Sequence, residues 1–310
     1  MAVWGNRAGA FSAPAERGEV LVERGLDHVV HVVRDLEAAG ELYDMLGFTV
    51  GSRNRHPWGT DNRIVQMPGF FVELLEIAEP DRIPPHSETS FSFGAFNRDF
   101  LAEVGPGLSM LVLEGRDPAG DKVEFDAAGF GGLDLFDFER EGKRLDGVNV
   151  KVAFSLAFAR DPASPHAGFF TCHQLYPENF WSPDLQRHMN GADGVVGVVF
   201  TAADPAAHTG FLSAFAGSEA RRAVDGWQIV KTPRGDIDVM SDALFAQRFG
   251  VAAPAGPGLR LAAVRFAVGD MDRLRRRISS SRMSVEDIEG VVVVGPKSAL
   301  GATLVFEAAP

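Results

Sequence analysis

The sequence contains a single cysteine, Cys172, so the chain can form no disulfide bond within itself. A reducing compartment suits this composition, because stabilising disulfides belong to oxidising environments. Long apolar runs are also missing. No stretch reaches the roughly 18 apolar residues of a membrane-spanning helix, and residues 1–24 hold no continuous apolar segment of signal-peptide length. We therefore expect a cytoplasmic protein without a membrane partner.

Positive charge is scarce in this chain. It has 30 Lys and Arg against 42 Asp and Glu, which gives a formal net charge of −12. Binding to phosphate backbones requires a basic surface, so the charge balance argues against a nucleic-acid partner. The dense basic run at residues 273–277 (RLRRR) is typical of the solvated face of a helix. A chain of 310 residues is longer than one compact core usually needs, which predicts two domains.

A strand-like apolar run that ends at an aspartate occurs four times, and an amphipathic stretch follows each time. The aspartate stands where an N-cap side chain accepts a hydrogen bond from the first turn of a helix. Further β-rich runs come after each helix-like stretch. A doubly wound parallel fold would need a helix after nearly every strand, so the repetition favours an α+β protein built from four βαβββ modules. The four aspartates are Asp35, Asp117, Asp204 and Asp270.

Several long motifs resemble the vicinal oxygen chelate (VOC) superfamily, which includes glyoxalases, extradiol dioxygenases and antibiotic-resistance binding proteins. These motifs are LDHVVHVVRDLEAAGELYDMLGF, HPWGTDNRIVQMPGFFVELLEI and CHQLYPENFWSPDLQRHMNGADGVVGVV. They are most similar to the glyoxalase-like VOC proteins of bacteria, closely over residues 25–200 and only as a fold beyond. The resemblance implies paired modules that form two cupped mixed-sheet domains. We expect a flexible arm at 1–24, an N-terminal VOC domain at 25–190 and a C-terminal VOC-like domain at 191–310.

The resemblance also implies a metal site, with one ligand from the first strand of a module and one from its fourth strand. His28 and Glu73 match those positions, and Glu73 is expected to act in catalysis as well. Side chains alternate faces along a strand, so His28 and His31, which are three residues apart, point to opposite faces. His31 is therefore expected on the side of the sheet that packs against a helix or an interface.

The second module is expected to complete the metal site. Alignment of its capping aspartate places Met110 opposite His28, and methionine is a poor ligand for a hard or borderline metal. Its fourth strand offers His173 and Gln174 on opposite faces, and His173 is preferred because it would complete a set of two histidines and a carboxylate. Glu307 is a weaker candidate that requires the first and fourth modules to pair. The predicted cofactor is a divalent cation, with Fe, Mn, Zn, Ni and Mg not distinguished.

The HPWGTDN loop is expected to line the substrate cavity, because loops that carry His, Trp and Asn over a rigid sheet often do so. A solvent-facing turn is the competing interpretation. His56 is the second predicted catalytic residue: a histidine there can hydrogen-bond a substrate oxygen or move a proton, since its ordinary pKa is near neutrality. The other predicted substrate contacts are Trp58, Asn62, Tyr176 and Trp181.

These residues favour a divalent-metal enzyme, an isomerase, lyase or dioxygenase, whose small substrate chelates the metal through adjacent oxygens. A non-catalytic protein that sequesters an aromatic or antibiotic-like ligand is the alternative, and a pseudo-enzyme with a dimerising second half is a third. An exposed histidine–carboxylate triad would favour the enzyme, and a cup closed by apolar residues would favour the binding protein. The first strands beyond residue 190 lack histidine, so we expect no metal in the second half. The sequence leaves open whether the chain forms a homodimer.

Overall fold

The computed structural model describes residues 23–143, 147–223, 225–279 and 283–309. Its first part contains the strands and helices β1 Leu26–Val33, α1 Leu36–Met45, β2 Asn54–Arg55, β3 Thr60–Met67, β4 Phe70–Ile77, α2 Phe93–Glu103, β5 Gly107–Glu114, α3 Pro118–Ala127, β6 Phe136–Lys143, β7 Asn149–Ala159, β8 Gly168–Gln174 and α4 Pro177–Phe180.

The second part repeats the scheme. It contains β9 Ala192–Thr201, a 3-10 turn at Pro205–His208, α5 Thr209–Ala216, β10 Ala220–Arg222, β11 Gln228–Val230, β12 Asp236–Met240, α6 Asp242–Phe249, β13 Arg260–Val268, α7 Met271–Ser279, β14 Glu286–Ile288, β15 Val291–Val294 and β16 Thr303–Ala308. In the part of the chain that the structure describes, no helix has both the length and the apolar character needed to cross a membrane.

The strands form two curled, mixed eight-stranded sheets, which confirms the predicted α+β fold. The first sheet has the order β2-β3-β4-β1-β5-β8-β7-β6, and the second has the equivalent order β10-β11-β12-β9-β13-β16-β15-β14. In each sheet a central strand pairs parallel with the last strand of its own module and antiparallel with the first strand of the next. The first module therefore pairs with the second, and the third with the fourth.

The predicted helix caps are confirmed at all four aspartates. Each side chain accepts a hydrogen bond from a backbone N–H two or three residues further on. These bonds satisfy N–H groups that a first helical turn leaves without a partner. The third stretch differs from the others, because its cap opens a 3-10 turn before α5 begins. The capping residues are Asp35, Asp117, Asp204 and Asp270.

The two sheets pack against each other through a continuous apolar core. Phe48 follows α1 in the first half, and its ring lies 5.1 Å from that of Phe266 in the second half. His31 also joins the halves: its Nε2 donates to the backbone oxygen of Leu300 at 3.0 Å, and its Nδ1 accepts from the Tyr43 hydroxyl at 3.1 Å. Burial lowers the pKa of His31 to about 4, so the ring is neutral. The predicted interface position of His31 is confirmed.

The start of the described chain is already part of the core. The predicted arm at residues 1–24 lies outside the described residues except for its last two. Arg24 is buried, and its Nε donates to Asp121 Oδ1 at 2.8 Å. Its backbone N–H donates to the carbonyl of Ala216 in the second half at 2.9 Å. Arg24 therefore belongs to the packed structure and not to an arm.

Candidate functional site

His28 lies near the start of β1, at the centre of the first sheet, with its ring turned into a cavity. The pairing of β1 with β5 shifts register between Leu26 and His28, and this bulge brings the Asp27 carboxylate beside the ring. His28 Nδ1 donates to Asp27 Oδ1 at 2.5 Å, so in the neutral ring Nε2 presents its lone pair to the cavity. Phe71 stacks on the imidazole at a centroid distance of 4.2 Å. The ring is therefore fixed in both position and tautomer.

Glu73 on β4 faces His28 across the cavity. Its Oε2 lies 4.0 Å from His28 Nε2, and both side chains are buried. The other carboxylate oxygen, Oε1, accepts a hydrogen bond from Asn62 Nδ2 at 2.6 Å. Burial raises the pKa of Glu73, against the opposing effects of His28, Asn62 and Arg140. The structure thus brings together the two residues for which the prediction of a metal ligand was strongest.

A chain of hydrogen bonds holds Glu73 from behind. Asn62 Nδ2 also lies 3.3 Å from His56 Nε2, and His56 Nδ1 lies 2.8 Å from the Thr60 hydroxyl. Asn62 Oδ1 in turn accepts from Asn54 Nδ2 at 3.2 Å. The amide of Asn62 is therefore saturated by three partners, and it turns Oε1 of Glu73 away from His28. His56, Thr60 and Asn62 together position the carboxylate.

The structure shows where His56, a predicted catalytic residue, lies. Its side chain does line the cavity, 3.9 Å from Glu73 Oε1 and stacked on Trp58 at 4.6 Å. Burial, followed by the charge of Arg140, lowers the pKa of His56 to about 3. The ring is therefore neutral at physiological pH, with both nitrogens hydrogen-bonded to the protein. These contacts favour a positioning role for His56 over a proton shuttle near neutrality.

The cavity around the pair is small and largely apolar, with a volume of about 60 Å³. It adjoins a larger cleft of about 580 Å³ on the side of α4. Three side chains border both spaces, Ile64, Arg140 and Phe180, and we call them the throat. Aromatic side chains dominate the inner lining: Trp58, Phe71, Phe93, Phe136, Phe138 and Phe170 are among them.

The structure does not bring His173 to this cavity. Phe170 and Cys172 on β8 line it, and Gln174 Nε2 donates to Asp27 Oδ2 at 3.2 Å. These alternate residues share one face of the strand, so His173 lies on the other face. Gln174, the less favoured candidate, is the one on the cavity side, but it supports Asp27 instead of facing Glu73.

The remaining predicted residues fall in three places. Trp58 and Asn62 line the inner cavity, whereas Trp181 borders the outer cleft. The Tyr176 ring faces the ammonium group of Lys151 at 5.8 Å and borders neither space. Glu307 belongs to the second sheet, because the modules pair first with second. It therefore cannot complete the His28 site.

An ion-pair cluster fills the corresponding place in the second sheet. Asp238 on β12 pairs in register with Val199, as Glu73 on β4 pairs with Val30 in the first sheet. The Arg265 guanidinium bonds Asp238 Oδ2 at 2.5 Å and both oxygens of Glu307, at 2.7 and 2.8 Å. A buried guanidinium that holds two carboxylates leaves neither of them free for a metal.

The His28–Glu73 pair has the chemistry of a divalent-metal site, although a sparse one. An imidazole nitrogen and a carboxylate oxygen 4.0 Å apart in one cavity are close enough for a single cation to contact both after a small side-chain shift. A carboxylate on the far nitrogen of the imidazole, here Asp27, is the usual support of a ligating histidine. Across the described ranges, no cluster of three or more His, Cys, Asp or Glu side chains is arranged to hold a metal. The residues thus fit a metal with two protein ligands, which leaves the other positions to substrate and water.

Two residues of the site had not been predicted. Asp27 adjoins His28 in sequence, but regular strand alternation would place it on the opposite face, and only the bulge reveals its contact. Arg140 lies on β6, where Phe136, Phe138 and Arg140 alternate with acidic residues. That period-two pattern could have assigned Arg140 to the inner face of the sheet.

The fold and this site define a protein of the VOC superfamily. Residues 26–215 match the glyoxalase-like domain family, and the chain belongs to that family. No curated protein matches the sequence. Family and fold support a VOC-type function in general terms, and members of this superfamily generally use a divalent metal.

Solved structures share the fold over nearly the whole chain. A hypothetical protein from Staphylococcus aureus matches with a TM-score of 0.62 at 12% identity, over 93% of this chain and 100% of that one. A mutant of 4-hydroxymandelate synthase from Streptomyces coelicolor matches with a TM-score of 0.57 at 11% identity, over 93% and 94%. A xylose isomerase-like TIM barrel/4-hydroxyphenylpyruvate dioxygenase fusion protein gives 0.55 at 12% identity, over 94% of this chain and 51% of that one. At these identities the likeness concerns the fold alone.

Proposed function

We propose that the protein is a metal-assisted enzyme of the VOC type that transforms a small substrate at the His28–Glu73 pair. The observation that carries the proposal is the 4.0 Å separation of His28 Nε2 and Glu73 Oε2 in one buried cavity. The substrate would bind through two adjacent oxygens, as the reactions of this superfamily imply. The reaction class is an isomerisation, a lyase reaction or a dioxygenation.

A divalent cation held by His28 and Glu73 would supply Lewis acidity toward the substrate oxygens. The protein's own contribution is orientation and exclusion of water. Asp27 fixes the His28 ring, and Asn62 holds Oε1 of Glu73, so that Oε2 is the oxygen that faces the reacting end of the substrate. The aromatic lining keeps water out, and electrostatic interactions are stronger in such an environment than in water.

A non-catalytic binding protein is the second candidate, and the cavity lining favours it. All but five of the lining side chains are apolar or weakly polar, the five being His28, His56, Asn62, Glu73 and Arg140. Such a lining suits the sequestration of an apolar group as well as catalysis. The two candidates differ in the metal, because sequestration does not require His28 and Glu73 to share a cation.

Metal titration of chelator-stripped protein tests the proposal. With Mn²⁺ and with Zn²⁺ we expect about one site per chain, measured by calorimetry and equilibrium dialysis. Glu73→Gln removes the charge but preserves the shape and is expected to lower the affinity more than about 100-fold. Glu307→Gln is the matched control and should bind as wild type does. Two sites per chain, no binding, or binding that Glu73→Gln leaves intact would contradict the proposal.

A further inference from the structure

The throat places one positive charge between the inner cavity and the outer cleft. Arg140 borders both spaces, together with Ile64 and Phe180, which are apolar. A ligand that reaches the His28–Glu73 pair from the cleft must therefore pass the guanidinium. The other charged residues that border the cleft are Glu178 and Asp184, which are both acidic.

The guanidinium of Arg140 forms no ion pair or hydrogen bond with a carboxylate among the residues that the structure describes, and Glu73 is the carboxylate whose charge acts on it within the cavity. Its hydrogen bond runs from Nη1 to the backbone oxygen of Glu141, at a long 3.4 Å. Its Nε is buried and makes no hydrogen bond. The neighbouring acidic side chain Glu139 pairs with Lys151 at 2.6 Å instead. Most of the hydrogen-bonding capacity of Arg140 is therefore unused.

Three other arginines that pack into the fold behave differently. Arg24 pairs with Asp121 and Glu124, Arg260 with Asp242, and Arg265 with Asp238 and Glu307. A guanidinium taken out of water without a counter-ion is costly, because the lost hydration is not replaced. The chain has 12 more acidic than basic side chains, yet none of those described forms an ion pair with Arg140. The cost therefore points to a counter-ion that belongs to the ligand.

We infer that Arg140 binds the carboxylate of the ligand, so that the substrate class is a small organic monocarboxylic acid. The planar guanidinium fork matches a carboxylate with two parallel hydrogen bonds. A dianionic phosphate suits the throat less well, since one guanidinium faces it and two acidic side chains border the cleft. In this arrangement the carboxylate of the ligand stays at the throat, and its reacting end enters the cavity of about 60 Å³. The position of the reacting end rests on the proposed function.

Binding of matched acids and amides tests this inference. The probes are acetate, phenylacetate and 3-phenylpropionate with their neutral primary amides, titrated into chelator-stripped protein by calorimetry and ligand-observed NMR. Wild type should bind the best acid at least about 10-fold more tightly than its amide. Arg140→Gln should weaken the binding of that acid by about 10- to 100-fold and leave the binding of the amide unchanged. Arg140→Lys should lose less affinity for the acid. Arg116→Gln removes the same charge from an exposed site and should leave both unchanged.

The thermal midpoint separates a ligand-binding role from a structural one. Loss of an unpaired, half-buried charge should leave the midpoint of Arg140→Gln equal to or above that of wild type. An unchanged preference for the acid in Arg140→Gln, equal weakening of acid and amide, or a wild type that does not prefer the acid overturns the inference. His28→Ala should retain the preference, because the carboxylate contact needs no metal. Failure of the metal proposal would thus be seen in the Mn²⁺ titration, and failure of this inference in the acid–amide comparison.

Discussion

His28→Ala is expected to lose metal binding almost completely, with an affinity for Mn²⁺ more than about 100-fold below that of wild type. The substitution removes one of the two protein ligands and leaves a single carboxylate, which holds a divalent cation weakly. Turnover, once a substrate is known, should fall with it. Calorimetric titration of chelator-stripped protein measures the change in affinity directly.

His31→Ala is the matched control, because it removes an imidazole from the opposite face of the same strand. It should keep the metal affinity of wild type although it loses about 1–3 kcal/mol of stability with the hydrogen bond to Leu300. Asp27→Asn should fall between the two, about 10- to 100-fold weaker than wild type, since the support of the His28 ring changes but the ligand remains. Equal loss of metal in His28→Ala and His31→Ala would refute the assignment of faces.

Gly59→Val is expected to destabilise the fold by about 3 kcal/mol or more. Gly59 has a φ of 87°, a region that a β-branched residue rarely adopts. A Cβ there would also lie 2.3 Å from the backbone oxygen of Glu79. That backbone cannot move freely, because the N–H groups of Ala78 and Glu79 donate to the Gly59 carbonyl. The thermal midpoint should drop by roughly 5–10 °C.

Two variants separate the causes of this effect. Gly105→Val has a positive φ as well, but its Cβ would meet no atom of the described residues within 4 Å, so it should show only the conformational cost of about 1–2 kcal/mol. His56→Ala keeps the turn but breaks the hydrogen-bond chain to Glu73, so it should weaken Mn²⁺ binding with a smaller loss of stability than Gly59→Val. A midpoint for Gly59→Val that equals that of Gly105→Val would show that the contact with Glu79 is not limiting.

Much of the fold could be predicted from the sequence because its signals are local. A capping aspartate after an apolar run is a property of a few adjacent residues, and all four such caps formed. The pairing of modules could not be predicted, since it depends on contacts between β1 and β5 and between β9 and β13, which are far apart in sequence. The sequence therefore keeps Glu307 as a candidate ligand, and the sheet order excludes its approach to His28.

The site was predictable where strand alternation and the family resemblance agreed, at His28 and Glu73. Alternation along β8 places His173 and Gln174 on opposite faces but does not show which face is the inner one. The preferred residue, His173, lies on the outer face. The pKa of His56 was also beyond the sequence, because it depends on burial by a loop and an aromatic neighbour. Asp27 was missed because its contact with His28 depends on a bulge, which is a feature of three-dimensional packing. Alternation along β6 could have assigned Arg140 to the inner face, but its lack of an ion pair is visible only in the packed structure.

The most direct test of the account is the anomalous diffraction of crystals soaked with Zn²⁺ after removal of chelators. We expect one strong peak per chain, within about 2.0–2.2 Å of both His28 Nε2 and a carboxylate oxygen of Glu73. The peak should vanish in crystals of Glu73→Gln and persist in those of Glu307→Gln. No peak between His28 and Glu73, or the principal peak at His173 or within the Arg265 cluster, would contradict the central claim that this pair is the metal centre.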